Sequence, residues 1–189
     1  MNHVMLDLET MGTSNRAAIL SIGAVRFDPD TGLLGDRFYE AIDPEDAAAH
    51  GIVDQHTLDW WQRQSQEAQD AAFCGTKKLV TVLDEFKDYY LRSGSGFQTP
   101  IWGNGATFDI TIMENAYLIT GQKIPWEFRS PRDVRTIVNV CQGFVNKPDF
   151  VTEGVAHNAL DDAVHQAKFI SEMWRAIKFG LSTSGHTPL

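Results

Sequence analysis

Four carboxylates and one imidazole, spread over three short motifs, carry the chemistry legible in this chain. Asp7-Leu8-Glu9-Thr10 closes an apolar run near the N-terminus. Asn104-Gly105-Ala106-Thr107-Phe108-Asp109 follows a second apolar run, and His157-Asn158-Ala159-Leu160-Asp161-Asp162 opens the last helical pattern. Anionic oxygens in that number can hold paired divalent cations, and a histidine beside them can take a proton from water. Hydrolysis of a phosphodiester calls for such a set. Each motif alone has an ordinary explanation: strand-end acids are commonly solvated, a first-turn aspartate such as Asp109 favours the helix dipole, and a lone histidine is most often structural. Order and context together outweigh those readings.

Spacing refines the roles. Asp7 and Glu9 stand two apart on an extended segment, so both side chains leave on one side and one cation can touch both. Two carboxylates directly after Val4-Met5-Leu6 repel each other unless a cation lies between them. Asp109 is a candidate ligand for a second cation, and Phe108 beside it a candidate wedge against a terminal base. His157 and Asp162 are five apart, about 140° around a regular helix. His157 is therefore expected just ahead of the helix, on a mobile loop after Gly154, with Asp162 one turn in. Asp161 reads as a solvated neighbour.

Adjacent helical tryptophans face about 100° apart, so at most one of Trp60 and Trp61 can lie fully in the core, and the other can stack on a base or line a cleft rim. Arg129, Arg132 and Arg135 form a local basic cluster from which one or two side chains can meet backbone phosphates. His3, His50, His56, His165 and His186 show no ligand spacing and read as structural.

The elements that must position these groups follow from hydrophobic periodicity. Val4–Leu8, Ala17–Phe27 and Asp36–Ile42 read as strands joined by turn clusters, which predicts an antiparallel meander. Asp54–Gln64 reads as a short helix, and Thr76–Leu91 as a stronger one with Thr76 as N-cap and Leu79, Val80, Val82, Leu83, Phe86 and Tyr90 as its stripe. Pro100-Ile101-Trp102 reads as a fourth strand, Phe108–Ile119 as a helix ending at Gly121, Trp126–Phe128 as a short fifth strand, and Pro131–Gln142 as a helix with proline in its first turn. Gly143–Gly154 is loop-like, and His157–Phe179 is the longest helical pattern. The result is an α/β fold: a mixed sheet with helices packed on it, in which catalytic side chains sit at the ends of central strands. Residues 1–179 read as one domain and 180–189 as a flexible tail.

The three motifs in this order resemble the DEDD superfamily of 3′→5′ exonucleases, in its histidine-bearing (DEDDh) branch, over roughly residues 4 to 175. Thr57-Leu58-Asp59-Trp60-Trp61 and Arg132-Asp133-Val134-Arg135-Thr136 further resemble an RNase T-like group of exoribonucleases of bacteria and phages. The resemblance implies a ribonuclease H-like, five-stranded mixed sheet. It implies two Mg²⁺ ions about 4 Å apart, with Mn²⁺ able to substitute. Asp7 would bridge them, Glu9 and Asp162 would complete the shell of the first, and Asp109 would support the second. His157 would deprotonate the attacking water, and Leu8, Thr10, Met11, Trp61 and Phe108 would hold the terminal nucleotide. The implied substrates are single-stranded 3′ ends, RNA favoured over DNA, released as nucleoside 5′-monophosphates. A homodimer is plausible on the same ground.

Three other functions fit less well. An endonuclease of the ribonuclease H type places its acids on separate elements, against the Asp7-x-Glu9 pair. A catalytically silent binding module usually lacks a metal ligand, and here all are present. A glycosidase with paired carboxylates needs no histidine five before an aspartate.

Bulk composition bounds the rest. The chain has 189 residues, enough for one domain to bury a core without disulfides or structural metals. Its hydrophobic share of 43% argues against disorder. A net charge of −9 is unusual for a nucleic-acid binder, and bound cations would offset it at an acidic site. Cys74 and Cys141 show no zinc or disulfide spacing, which points to a reducing compartment. The N-terminus shows no signal-peptide pattern, and no apolar stretch approaches the ~20 residues of a membrane span. A cytoplasmic location is the expectation.

Overall fold

The computed structural model describes residues 1–92, 96–142 and 157–180. Its sheet has the order β3-β2-β1-β4-β5, from β1 (His3–Thr10), β2 (Ile19–Phe27), β3 (Leu34–Ala41), β4 (Ile101–Gly103) and β5 (Pro131–Asp133). The first three strands form the expected antiparallel meander, while β4 pairs in parallel with both β1 and β5. Seven helices occur among the described residues: α1 (Pro44–His50), α2 (Gln55–Trp61), α3 (Gln66–Phe73), α4 (Leu79–Leu91), α5 (Asp109–Ile119), α6 (Val134–Cys141) and α7 (Ala159–Phe179).

Side-chain alternation along β1 divides the core in two. Val4, Leu6 and Leu8 pack with residues of α4 and α5 on one face. Met5, with Val25, Phe27 and Trp102, packs against α6 and α7 on the other. Burial on both faces is why the strand reads as a nearly unbroken apolar run. Asp7 and Glu9 continue the row that Met5 begins, so they emerge on the α7 face. No described helix is long and apolar enough to cross a membrane.

Several expectations are corrected. Trp126–Phe128 is not a strand: the Trp126 ring is buried against Tyr90, Tyr117 and Phe86, and the fifth strand lies at Pro131–Asp133. Proline is tolerated there because β5 is the sheet edge, where a missing N–H costs no ladder bond. The helix expected from Pro131 starts at Val134 instead, capped by the Asp133 side chain, which accepts from the Thr136 amide at 2.8 Å. α4 starts at Leu79 rather than near Thr76, because its leading amide is satisfied from another helix by Asp46 Oδ2 at 2.8 Å. Val80, placed in the α4 stripe, is exposed, while Tyr89 is buried in its stead. α1 and α3 were not foreseen. Gly121 ends α5 in the left-handed conformation, φ 70°, as its position in the sequence implied. The loop expected at 143–154 and most of the 180–189 tail lie outside the described residues.

Candidate active site

Three elements converge at one end of the sheet. Asp7 pairs across the ladder with Gly23, and Glu9 with Ser21. Above them α7 begins at Asn158, whose side chain accepts from the Leu160 amide at 3.0 Å and the Asp161 amide at 3.2 Å. Gly23 permits this approach: a Cβ there would fall 2.1 Å from the Ala159 carbonyl carbon. The first turn of α7 thus rests on the β2 backbone and carries Asp162 to the carboxylates of β1. From the other face, the turn after β4 delivers Asp109 as the first residue of α5. Asp133 Oδ2 fixes that turn by accepting from the Ala106 amide at 2.8 Å. Gly103 leaves room for Asp109, since a Cβ there would lie 3.1 Å from its Oδ2.

Ligand-capable atoms of Glu9, His157 and Asp162 all lie within 4.8 Å of one another. The Asp109 charge acts on Glu9, and Asp7 feels Asp109, Glu9 and Asp162 in turn. Glu9 and Asp109 are 8% and 4% exposed, so charge on either is poorly solvated. Burial, then Asp162 and Asp109, push the Glu9 carboxyl up to about 8. Burial also raises Asp109, to about 6, against the pull of the Gly105, Asp109 and Leu8 amides and the Arg135 charge. Asp7 is raised well above the carboxylate range by burial and by Asp109 and Glu9. Burial raises Asp162 as well, opposed by the His157 charge and by a hydrogen bond from the His157 backbone.

Carboxylates in this state hold protons for lack of a better counter-charge. A divalent cation would be that counter-charge, and hard oxygen donors of this number would suit Mg²⁺ or Mn²⁺. A second observation agrees with the fit. Gln166, 9% exposed, donates from Nε2 to Asp7 Oδ1 at 2.7 Å, while its Oε1 is buried with no partner among the described residues. Such an amide beside a ligating carboxylate holds its orientation. Gln166 was missed in the sequence because a lone glutamine carries no charge or period. Its one signal is its place four after Asp162, on the same helical face.

His157 precedes the helix, as the five-residue spacing required. It is the one described non-glycine residue with positive φ, 65°. That left-handed turn points its own backbone amide toward Asp162 while the ring stands edge-on to Trp60, centroids 4.8 Å apart. Trp60 in turn stands at 5.0 Å and 76° to Trp61. Of the two, Trp61 is the core residue, 2% exposed, with its indole N–H donating to the Thr10 carbonyl at 2.9 Å. Trp60 is partly exposed and meets the histidine.

A cleft of about 490 Å³ opens beside Glu9, lined by Leu8, Thr10, Trp60, Trp61 and Phe108 and on its far side by Asp54, His56 and Thr57. Leu8, Thr10, Trp61 and Phe108 are thus brought together at one cleft, whereas Met11 is buried in the core and does not line it. His56, read as structural, is exposed on the rim beside the α2 cap Asp54. His3 is structural: its Nδ1 accepts from Trp102 Nε1 at 2.9 Å. The arginine cluster is divided by β5, with Arg129 before it and Arg135 after it.

Comparison with known proteins bears on the family and the fold. The family model of the Rv2179c-like 3′-5′ exoribonuclease domain matches residues 2–174. An exodeoxyribonuclease of Enterobacteria phage T4 is 24% identical over 208 residues, covering 94% of this chain and 89% of that protein. Cell-death related nuclease 4 (CRN-4) superposes with a TM-score of 0.67 at 16% identity, covering 94% of this chain and 64% of its own. The zinc-bound complex of E. coli ExoI with single-stranded DNA superposes with a TM-score of 0.66 at 17% identity, over 97% of this chain and 42% of its own. The chain therefore spans less than two thirds of either solved neighbour, and at these identities they show the shared fold, that of ribonuclease H-like exonucleases.

Proposed function

The chain belongs to the Rv2179c-like 3′-5′ exoribonuclease domain family, and from that premise we propose that it removes nucleotides from the 3′ end of single-stranded nucleic acid, RNA in preference to DNA, with two divalent ions. The observation that carries this reading is the convergence of Asp7, Glu9, Asp109, Asp162 and His157 from three separate elements beside one open cleft. The catalytic domain would comprise residues 1–179.

Two Mg²⁺ ions, replaceable by Mn²⁺, would supply Lewis acidity toward the phosphate and acidify the attacking water. Asp7, central to the cluster, would serve both positions, with Glu9 and Asp162 holding one and Asp109 the other. His157 would take the proton as the water oxygen bonds to phosphorus. The bond from phosphorus to the preceding 3′-oxygen breaks, that oxygen regains a proton, and a nucleoside 5′-monophosphate leaves. Leu8, Thr10, Trp61 and Phe108 would shape the seat of the terminal nucleoside, while Met11 would act only through the packing beneath it. Trp60 would keep the His157 ring upright over the cleft mouth.

The DNA reading has its own support, in the phage T4 relative named for DNA and the ExoI complex with single-stranded DNA. One assay separates the two. Single-stranded RNA and DNA oligonucleotides of one sequence, labelled at the 5′ end, are incubated with the protein in Mg²⁺, Mn²⁺ or EDTA, beside Asp7→Ala. The expected result is a ladder shortening from the 3′ end, faster on RNA, absent with EDTA and in the variant. Faster shortening of DNA would reverse the preference. No cleavage by folded protein that binds Mn²⁺ would leave a binding module in place of an enzyme.

A further inference from the structure

An acidic centre in a chain of net charge −9 repels the polyanion it is read to cut, so a cation near the rim has to offset that repulsion. Among the arginines near β5, two are poor candidates. Arg132 spends its Nη1 on the carbonyls of Pro131 and Ser130, at 2.9 and 3.2 Å. Arg129 lies over the exposed Phe128 ring, 5.0 Å from its centroid, ahead of the strand and away from the end where Asp109 stands.

Arg135 differs in place and in engagement. It is the second residue of α6, directly past the end of β5 that adjoins the turn leading to Asp109. Its guanidinium lies over the backbone of that turn: a Cβ on Gly105 would be 3.3 Å from Nη1 and 3.4 Å from Cζ. Gly105 thus leaves a flat floor under the planar group. The side chain is exposed, and its charge reaches both Asp109 and Asp133. Among the described residues it makes no ion pair within 4 Å, and as an exposed side chain it is open to a ligand arriving from solvent.

We propose that Arg135 is a binding residue for an internucleotide phosphate of the substrate strand, outside the group that holds the cations. This rests on the reading of the site as a nuclease centre. A guanidinium offers paired N–H donors matched to two phosphate oxygens, which a solvated lysine would not reproduce. The contact would also hold the strand at the Asp109 side while the terminal nucleotide enters the cleft.

The test is direct binding of a fluorescent single-stranded oligonucleotide in Ca²⁺ across a salt series, for wild type, Arg135→Ala, Arg135→Lys and Arg129→Ala, with calorimetric Mn²⁺ affinity alongside. Arg135→Ala is expected to weaken binding and to lower the slope of log affinity on log salt by about 0.7, the value of one single-strand phosphate contact. Arg135→Lys should recover part of the slope, and Arg129→Ala should keep all of it. Mn²⁺ affinity should not fall in any variant. An unchanged slope in Arg135→Ala, or a fall in Mn²⁺ affinity equal to the fall in oligonucleotide affinity, would overturn the assignment, as would no binding by wild type. Wild type that binds through Arg135 yet never cleaves would instead refute the nuclease reading and leave this contact standing.

Discussion

Gln166 donates its Nε2 to Asp7 Oδ1 across 2.7 Å, joining groups 159 residues apart in the chain. The bond ties the Asp7 carboxylate to the helix that carries Asp162, and leaves its second oxygen to other partners.

Replacing Gln166 with Leu keeps the volume and deletes the donor. Divalent-ion affinity is expected to fall by about 10–100-fold, the usual effect of losing a group that orients a ligand. Mn²⁺ titration calorimetry reads this without reference to turnover, and an affinity equal to wild type would show that Asp7 needs no such support.

Asp7→Ala and Asp162→Ala are expected to abolish nucleotide release while circular dichroism stays that of the parent. Wild-type turnover in either would refute the ion assignment. In ion-free protein, Asp7→Asn should be stabilising, because it removes one of several mutually repelling carboxylates. A gain on the order of 1 kcal/mol corresponds to a Tm about 2–4 °C higher at this chain length, and a lower Tm would mean the repulsion is already neutralised.

His157→Ala should slow turnover by about 10²–10⁴-fold, the range for a lost general base. Mn²⁺ affinity discriminates here, since the ring nitrogen sits within the same 4.8 Å group as Glu9 and Asp162. Unchanged affinity fits a base; a loss as deep as that of Asp162→Ala would make His157 a ligand.

Glu9 should make the ion-free protein less stable as pH rises. Folded Glu9 keeps its proton to about 8, whereas the unfolded chain releases it near 4.5. Between those values the folded state binds more protons, so its stabilisation is complete below 4.5 and is lost as pH climbs through 8. His3 runs the other way: burial, with Arg132, lowers it from 6.5 to about 4, so its contribution is complete above 6.5 and declines toward pH 4. Thermal melts with EDTA across pH 4 to 9 should show both limbs, and saturating Mg²⁺ should flatten the alkaline one. An alkaline limb unaffected by Mg²⁺ would assign it to groups outside the site.

The strong periodicities were legible in the sequence where packing and pattern agree. α7 buries Val164, Ala167, Ile170 and Met173 and leaves only the end of its stripe, Ile177, exposed, whereas α5 is apolar nearly all round and leaves Leu118 and Ile119 in solvent. The carboxylate motifs were legible because charge next to an apolar run is expensive without a purpose. What escaped has physical reasons. Trp126 looked like strand because aromatic residues favour strands, yet its ring fills the space between α4 and α5 while its indole N–H reaches Glu114 Oε1 at 2.9 Å. α1 and α3 are short and depend on caps from Asp43 and Ser65 more than on any stripe. The separate fates of Trp60 and Trp61 follow from the Thr10 carbonyl, a partner no local pattern announces.

Gly23 has a consequence for tolerance. With no side chain between them, the β2 backbone and the first turn of α7 meet in bare contact, and a methyl group there could be accommodated only by lifting the helix. Such a lift carries His157 and Asp162 away from Asp7 and Glu9 as one rigid piece. The bite of the cluster is therefore gauged by a helix–sheet seam, as the gap of a calliper is gauged by its frame and not by its jaws. Thickening that seam at Ala159, Ala163 or Ala167, each fully buried, would open the gap without touching any of those four side chains.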